Sequence, residues 1–419
     1  MGMTAQPPSP DGTFAPLAGL RIIECSLLGP AAITSALADL GADVIKVETP
    51  AGDYGRQMTW PIVEGVSLLH LHINRGKRSI VLNLKEEAAK ETFRELVRGA
   101  DAVVEAMRPG ALARMGLGFE DLKAINPKIV FITISGYGMT GPYKNLPSHG
   151  IAYDTWAGIV TPAVDDEGFT YMPEHVSIGI NAAPLYGALG ILAGVVNARA
   201  TGEGSYYEIA QSDAAAAFDW YRSETYKAYE RPEDVVTGNK ADGYERRPPA
   251  TSGMKEGVRY QIYEAADGHV LFMASEQVFW KNFCEGIGRP DLFERWPGSQ
   301  YADHARNNRE LQAILRDVFK QRTCDEWMAF GGEVDTPIAP VNTPQSLAED
   351  PQFEDRLGWI PHEVLGADQL PFPVKPVGAS LPQPTKAPTV GEHTDDVLRD
   401  VLGKSDAEIA ALRDTGALG

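Results

Sequence analysis

The alternation of short apolar runs with helical patterns between Leu20 and Tyr137 is the feature that most constrains the fold of this chain. The runs that have the length of buried strands are 20–25, 42–47, 79–82, 102–104 and 129–134. In one of the intervening patterns, apolar residues recur at i, i+4, i+7 and i+8 from Ala89, as on one face of a helix. Apolar strands that alternate with amphipathic helices form parallel sheets covered on both faces. The sequence therefore predicts an α/β fold.

Parallel sheets of this kind usually bind ligands at the carboxyl ends of their strands, where segments 26–30 and 135–142 would lie. No GxGxxG motif follows the first strand, and no Walker A motif occurs. A dinucleotide-binding fingerprint and a P-loop are therefore not supported.

Charge and cysteine content exclude several other classes. The chain has 38 basic and 57 acidic residues and a formal net charge of -19, which argues against nucleic acid or an anionic membrane as a partner. Its three cysteines show no CxxC spacing, so neither a disulfide framework nor a thiolate zinc site is indicated. No export signal is visible before Arg21, and the uncharged stretch 176–198 is interpreted as a buried loop and helix. We expect a cytoplasmic protein.

The chain changes character in its second half. Segment 233–257 is polar and interrupted by Gly and Pro, as in a linker or mobile loop, after a helix predicted over 211–230. Asp267-Gly268, flanked by apolar runs, predicts a hairpin. Near Asp335 the sequence becomes irregular and rich in proline.

Several ordered motifs closely resemble the class III CoA-transferase family, also called CaiB/BaiF. They are Leu28-Gly29-Pro30, segment 37–48 (LADLGADVIKVE), Gly52-Asp53, segment 74–79 (NRGKRS), Arg108-Pro109-Gly110, Arg114-Met115-Gly116, Gly136-Tyr137-Gly138, Gly141-Pro142 and segment 391–394 (GEHT). They follow one another across essentially the whole chain, which a single short motif cannot imitate.

The resemblance implies a Rossmann-like parallel-sheet large domain, a smaller α+β domain and an interlocked dimer. The domains would be 1–230, the N-terminal part of a large CoA-binding domain; 231–334, a small domain with its linker; and 335–419, the return to the large domain. Members of the family move CoA from an acyl-CoA to a free carboxylic acid, and some relatives racemise acyl-CoA esters. CoA or acyl-CoA is then a substrate, with no permanently bound cofactor.

Cations in these motifs suit the phosphates of CoA because charged donors hold phosphate by strong hydrogen bonds. The residues that we predict to contact CoA are Leu28, Arg75, Lys77, Arg78, Arg108, Arg114 and Met115. For any one of the cations taken alone, an ordinary surface ion pair is the competing interpretation.

The nucleophile of the family is missing. The resemblance implies an aspartate that attacks the thioester, in a Gly-Asp context just before a helix of small residues. Here Ile180 occupies that position, and its neighbours Gly179 and Asn181 also lack a carboxylate. An isoleucine cannot form an acyl anhydride, and an amide is far too weak a nucleophile. The alternative is that an acid of the preceding polar loop replaces the missing nucleophile. The acids there are Asp165, Asp166 and Glu174.

Two further features separate this chain from typical transferases. The glycine-rich loop that the family carries between its domains corresponds here to 246–253, a segment with arginine, proline and a single glycine. His149 matches the histidine of the racemase branch and Glu276 matches a helpful acid, but the aspartate of the racemase pair is absent. His70 and His72 alternate on what we predict to be a strand, with no third ligand evident, so we expect no metal.

Three hypotheses remain open at this point. The chain is a CoA-binding subunit that works as a heterodimer with an aspartate-bearing paralogue, as in succinyl-CoA:benzylsuccinate CoA-transferase; or it is a self-sufficient homodimeric transferase with a displaced carboxylate; or it is an acyl-CoA racemase or isomerase that uses His149. The sequence does not identify the acid or the acyl-CoA.

Overall fold

The computed structural model describes residues 12–240, 243–246, 254–299 and 303–419. The predicted loop 246–253 lies, apart from Arg246, outside the described residues. The chain divides into two compact units, the first running to Asp219 and resuming over Leu357–Gly419, the second covering Trp220–Arg356. The order of segments is that of the predicted domains, while the limits 1–230, 231–334 and 335–419 themselves stay a prediction.

The described residues form the following elements. The strands are β1 Arg21–Cys25, β2 Asp43–Glu48, β3 Ile62–Val63, β4 Val66–Ser67, β5 Arg78–Val81, β6 Ala102–Glu105, β7 Val130–Ser135, β8 Ala163–Val164, β9 Thr170–Tyr171, β10 Tyr206–Ala210, β11 Tyr260–Glu264, β12 His269–Met273 and β13 Ile338–Pro340. The helices of the first unit before its interruption are α1 Ala32–Asp39, α2 Leu68–Asn74, α3 Glu87–Arg98, α4 Ala111–Arg114, α5 Phe119–Ile125, α6 Ala152–Trp156, α7 Gly179–Thr201 and α8 Gln211–Phe218. Those of the second unit are α9 Trp220–Ala228, α10 Gln277–Gly286, α11 Pro290–Arg295, α12 Arg309–Phe319, α13 Cys324–Val334, α14 Pro344–Ala348 and α15 Pro351–Arg356, and the resumed first unit adds α16 His362–Leu365, α17 Thr394–Asp400 and α18 Asp406–Asp414.

The large sheet has the order β10-β7-β6-β1-β2-β5, and all of its strands are parallel. Ile23 of β1 pairs with Ile45 on one side and Val103 on the other, and all three are fully buried. The predicted α/β fold with a Rossmann-like parallel sheet is thereby confirmed. The strand order reverses between β1 and β6, which is where sheets of this topology open a ligand crevice.

Both faces of the sheet are covered by apolar helices. On one face α3 buries Ala89, Phe93, Leu96 and Val97, as the sequence spacing predicts. Burial of one such large side chain contributes about 1.5–3 kcal/mol. On the other face α7 lies directly against β7, because a Cβ at Gly194 would stand 2.7 Å from Val130 Cγ1.

The α7 helix is also the one described helix that is long and apolar enough to cross a membrane by length and composition, although half of its most apolar window is buried inside the fold.

The C-terminal motif 391–394 closes the edge of the sheet at β5. The Gly391 amide donates to Ser79 Oγ at 2.9 Å, and the Val81 amide donates to Thr394 Oγ1 at 3.1 Å. Because an edge strand presents unpaired backbone groups, these bonds satisfy the free side of β5. The chain therefore returns to the first unit through contacts with its own sheet.

The second unit is built on the antiparallel sheet β11-β12-β13. The predicted hairpin at Asp267-Gly268 is present, with the Ala265 amide bonded to the Gly268 carbonyl at 2.8 Å. Its core is aromatic, and Phe272 lies 4.5 Å from Phe283 between ring centroids. A smaller α+β unit is what the resemblance implies.

Two local expectations are wrong. His70 and His72 lie on α2 and not on a strand. His70 is buried, with Asn74 Nδ2 3.1 Å from its ring, and His72 is exposed. The helix expected over 211–230 is two helices, α8 and α9, which meet at Asp219.

Candidate functional site

The strand order places the expected ligand crevice at the carboxyl edge of the sheet, between the loop after β1 and the loop after β6. The first loop, 26–31, contains the short 3-10 turn Gly29–Ala31, and Leu28 precedes it with φ of 54°. A positive φ is costly for a branched side chain and persists where surrounding contacts hold it. The loop is thus fixed in an unusual conformation at the place where a ligand is expected.

Two buried lysines donate hydrogen bonds to the backbone of this loop. Lys46 Nζ donates to the Ser26 carbonyl at 2.6 Å, and Lys77 Nζ donates to the Ala31 carbonyl at 2.7 Å. Both lysine side chains are completely buried and pair with Glu24, with Lys77 Nζ 2.8 Å and Lys46 Nζ 3.3 Å from its carboxylate. Lys46 Nζ also lies 3.2 Å from the buried carboxylate of Asp53. Because a buried charge is tolerated when it is paired and hydrogen-bonded, the two lysines and Glu24 form one structural unit.

The pKa values of this unit follow from burial and pairing. Burial opposes ionisation of Glu24, but Lys77 and Lys46 outweigh it and lower the pKa of Glu24 to about 2. Burial lowers the pKa of Lys77 to about 8, against the opposing attraction of Glu24. At neutral pH the carboxylate is therefore ionised and Lys77 is largely protonated.

Three of the cations predicted to contact CoA are engaged with carboxylates of the fold. Lys77 pairs with Glu24 as above; Arg75 is buried, with its Nη2 2.8 Å from Asp39. Arg78 is half-buried, and its Nη2 lies 2.6 Å from Asp43. Arg75 Nη1 also donates to the Leu370 carbonyl at 2.7 Å, which ties the loop before β5 to the C-terminal return. Each of these cations has a structural partner.

Arg108 and Arg114 differ from those three. Both are exposed at the carboxyl end of β6, and Arg114 Nη1 donates to the Pro109 carbonyl at 3.0 Å. Within the part of the chain that the structure describes, neither guanidinium has a carboxylate at ion-pair distance. Leu28 and Met115 are both partly exposed, and Leu28 lies in the loop after β1.

Ile180 is the second residue of α7 and lies beside the loop after β1. A Cβ built at Gly29 would lie 3.6 Å from Ile180 Cβ, so residue 180 contacts that loop directly. Ile180 is partly exposed, and Asn181 is exposed with its Nδ2 donating to the Ser177 carbonyl. Gly179 has no room for a side chain, because a Cβ there would stand 2.9 Å from Tyr153 Cβ. Of these three residues, Ile180 is the one that lies beside Gly29 in the loop after β1.

A buried carboxylate, which the sequence did not reveal, caps this turn. Asp154 of α6 is fully buried, and its Oδ1 accepts the Gly179 amide at 2.7 Å while its Oδ2 accepts the Ile178 amide at 3.1 Å. His175 Nε2 lies 3.3 Å from the same Oδ2. Both oxygens of Asp154 are therefore already occupied.

The acids considered as replacements for the missing nucleophile lie in or beside the β8–β9 hairpin. Asp165 Oδ1 accepts the Phe169 amide at 2.8 Å and the Glu167 amide at 3.0 Å, so it caps its own turn. Asp166 and Glu174 are exposed. Such positions are typical of solvated charges.

Two other potential nucleophiles end strands at the crevice. Burial, reinforced by Glu105 and Glu24, raises the pKa of Cys25 far above that of a free thiol. Burial also raises the pKa of Glu105, whose Oε1 accepts the Thr133 hydroxyl at 2.9 Å. A thiol that stays protonated is a poor nucleophile, and the carboxyl of Glu105 is engaged by the Thr133 hydroxyl.

The two racemase candidates lie in different units of the chain. His149 is exposed in the loop before α6, and its carbonyl accepts the Ala152 amide at 3.0 Å. Glu276 is exposed at the start of α10 in the second unit, where its side chain makes no capping bond.

Aromatic rings border the same edge of the sheet. Tyr137 follows β7 and lies 5.7 Å from Tyr153, 5.8 Å from Tyr143 and 6.3 Å from Trp156 between ring centroids. Tyr153 is buried against Gly179, while Tyr143 and Trp156 are about half exposed.

Sequence reasoning missed Asp154, His175 and the Glu24–Lys46 pair for different reasons. Glu24 and Lys46 interrupt apolar strands, and a charge inside such a strand is a recognisable sign of a buried ion pair. Asp154 and His175 lie in irregular segments, where no spacing distinguishes a buried acid from a solvated one.

The chain is similar to known proteins over nearly its whole length. Residues 17–394 match the model of CoA-transferase family III. The chain is 29% identical to human succinyl-CoA:glutarate CoA-transferase, covering 99% of this chain and 92% of that protein. It is 28% identical to the succinyl-CoA–L-malate CoA-transferase beta subunit of Chloroflexus aurantiacus, covering 96% and 98%. The crystal structure of a CAIB/BAIF family protein from Brucella suis matches with a TM-score of 0.75 at 26% identity, covering 93% of this chain and all of that one.

Proposed function

This chain belongs to CoA-transferase family III, and we propose that it is the CoA-binding subunit, without a nucleophile of its own, of a heteromeric CoA-transferase. Acyl-CoA is the substrate of this family, which needs no permanently bound cofactor. The partner subunit would be a paralogue that carries the aspartate, and the whole assembly would transfer CoA between an acyl-CoA and a carboxylic acid in the cytoplasm.

The observation that carries the proposal is the side chain at position 180. Ile180 lies in the first turn of α7 and contacts the loop after β1 at the crevice. An alkyl side chain at this point cannot attack a thioester. The neighbouring carboxylate of Asp154 is buried with both oxygens hydrogen-bonded, so it is not free to replace the nucleophile.

One relative that is named as a subunit supports the proposal. The Chloroflexus aurantiacus relative is named as a beta subunit, and it aligns with 96% of this chain. Reconstitution is the test: CoA transfer is measured for the purified chain and for the chain co-expressed with an aspartate-bearing paralogue. Turnover by the chain alone would favour a displaced carboxylate, and proton exchange at the substrate α-carbon without transfer would favour an isomerase that uses His149.

We assign the phosphate contacts of CoA to Arg108 and Arg114, because the other three predicted cations already hold carboxylates. Replacing Arg114 with Ala is expected to weaken CoA binding by about 1.5–3 kcal/mol, the usual range for a hydrogen bond to a charged group. Isothermal titration calorimetry measures the change. Arg98→Ala is the control, since this exposed arginine ends α3 just before β6 begins, at the opposite edge of the sheet, and should leave the affinity unchanged.

The Arg78→Gln variant separates the two interpretations of Arg78. If Arg78 forms an ion pair with Asp43, as the 2.6 Å contact indicates, the CoA affinity of the variant should stay within a factor of about two of the wild type while its thermal stability falls. Unchanged affinity in Arg114→Ala together with a large loss in Arg78→Gln would contradict the assignment.

We also propose that the chain is never a compact monomer. Leu185, Leu189 and Val196 of α7 are 53%, 63% and 69% exposed, and they form an apolar stripe on a helix whose other face is core. Sedimentation is expected to give twice the 45.4 kDa of one chain, or a heteromer of similar size. Leu189→Glu should shift the equilibrium toward dissociated or aggregated chain, and a folded wild-type monomer at micromolar concentration would contradict the proposal.

A further inference from the structure

Four aromatic rings form a connected group beside position 180, at the carboxyl end of β7. Tyr137 follows that strand, and its ring centroid lies 5.8 Å from that of Tyr143, 5.7 Å from that of Tyr153 and 6.3 Å from that of Trp156. Tyr153 packs against the residue before position 180, because a Cβ at Gly179 would stand 2.9 Å from Tyr153 Cβ. The group therefore borders the place where the nucleophile is missing.

Two rings of the group are half exposed, on a base that the fold holds in place. Tyr143 and Trp156 are 49% and 47% exposed, and their planes stand at 68° and 65° to the ring of Tyr137. Tyr153 is buried, and its hydroxyl lies 3.2 Å from Ser148 Oγ. Tyr143 and Trp156 thus present an aromatic surface to the solvent.

The core of the fold does not account for this aromatic surface. Among the described residues, the apolar cores on the two faces of the large sheet are formed by other side chains, and none of the four rings belongs to either core. Ile180 adds an alkyl group next to the rings, since it is partly exposed and contacts the loop after β1. A connected apolar surface at the carboxyl edge of a parallel sheet is typical of a binding site.

We propose that Tyr143 and Trp156 bind the acyl group of the CoA ester, and that this acyl group is aromatic or alkyl and carries no charge. The inference rests on the proposed function, in which the thioester lies beside position 180. Because the acyl group is bonded to the thioester carbonyl, it occupies the space around that position, and the exposed rings form part of the surface there.

The chemistry of the rings favours an uncharged acyl group. The face of an aromatic ring carries partial negative charge, so a phenyl group gains from edge-to-face or offset contacts whereas a carboxylate is repelled. An acyl group with a second carboxylate would need a cation instead. The loop after β7 contains two basic residues before α6, Lys144 and His149, and both are exposed. Lys144 follows Tyr143 directly and is therefore the competing recognition group.

Unreactive thioethers of CoA test the inference independently of CoA transfer. S-benzyl-CoA presents a phenyl group, S-(2-carboxyethyl)-CoA presents a carboxylate, and CoA presents neither; none of them has a thioester carbonyl for a nucleophile to attack. Isothermal titration calorimetry of the full purified chain gives the three dissociation constants. We expect S-benzyl-CoA to bind at least fivefold more tightly than S-(2-carboxyethyl)-CoA, because contacts between aromatic rings contribute a factor of about two to ten.

Variants at position 156 locate the source of this preference. Trp156→Ala is expected to reduce the preference for S-benzyl-CoA to less than twofold, with the affinity for CoA within a factor of about two of the wild type. Trp156→Phe keeps a ring and should retain most of the preference. Trp359→Ala is the matched control, because Trp359 is also 47% exposed but lines a cavity with Asp39, at the end of α1 that is farther from the loop after β1.

Four results would overturn the inference. They are equal affinity of the wild-type chain for the benzyl and carboxyethyl probes; a benzyl preference that persists in both Trp156→Ala and Tyr143→Ala; equal losses of affinity for CoA and S-benzyl-CoA in Trp156→Ala, which would indicate a structural role; and a carboxyethyl preference that Lys144→Ala removes, which would assign an acid-binding site in place of the apolar one.

Two further outcomes keep the test decisive. Should Trp156→Ala fail to fold, Tyr143→Ala, in an exposed loop, is read in the same way. Failure of CoA itself to bind would reject the proposed function and this inference with it. Binding of CoA without discrimination among the probes would reject this inference alone.

Discussion

The purified chain, incubated alone with an acyl-CoA and an acceptor acid, is expected to transfer CoA at a rate at least about 10⁴-fold below that of the reconstituted heteromer. The reason is the number of nucleophiles. A homodimer with Ile180 in both sites has no aspartate at position 180, whereas a heteromer with an aspartate-bearing paralogue has one. Losing the nucleophile of a covalent mechanism typically removes most of the rate enhancement.

The control for this experiment is a paralogue in which the aspartate is replaced by alanine. Co-expression with that variant should give an assembly of the same size without turnover, which separates assembly from chemistry. High activity of the chain alone would contradict the account. Labelling of Asp165, Asp166 or Glu174 by hydroxylamine in that case would identify a displaced nucleophile.

Lys77→Met is expected to destabilise the fold by about 3 kcal/mol or more, because it removes the nearer of the two cations that pair with the buried Glu24 carboxylate. The side chains of Lys77, Lys46 and Glu24 are completely buried, and Lys77 also holds the Ala31 carbonyl at 2.7 Å. Urea unfolding measures the loss. Lys85→Met, at an exposed lysine before α3, is the control and should leave the midpoint nearly unchanged.

The same ion cluster predicts how the free energy of unfolding decreases at acid pH. The pKa of Glu24 is about 2 in the fold and 4.5 as the ordinary value, so the folded state binds the proton more weakly than the unfolded state. Its contribution, roughly 3 kcal/mol, is fully present above pH 4.5 and is lost as the pH falls from there toward 2. Lys77→Met should flatten the pH dependence in this window; an unchanged slope would contradict the assignment of the cluster.

Much of the fold was predictable because hydrophobic periodicity determines it. The strands at 20–25 and 129–134 were found within one residue of their observed limits, since a buried parallel strand must be apolar on both faces. The prediction of a strand from the alternation of His70 and His72 was wrong, because two histidines separated by one residue fit a short helix as well as a strand. Helix 211–230 was predicted as continuous because nothing in its composition marks the break at Asp219.

The candidate site was predictable in part. Motif order located position 180 and the loop after β1, and the contact between Gly29 and Ile180 is consistent with it. The sequence around a cation at a strand end does not show whether its partner is a ligand or a carboxylate of the fold. Lys77 and Arg114 could therefore not be distinguished from the sequence. The environment of Asp154 depends on the meeting of α6 with α7, two elements separated by an irregular loop, and no local pattern encodes such a contact.

We propose that the covalent step of the heteromer takes place on the paralogue and not on this chain. The most direct measurement is mass spectrometry of both subunits of the active heteromer after incubation with acyl-CoA and trapping with hydroxylamine. We predict a hydroxamate on the aspartate of the paralogue and an unmodified peptide around Ile180, with no hydroxamate elsewhere on this chain. A stoichiometric hydroxamate on any carboxylate of this chain would contradict the account.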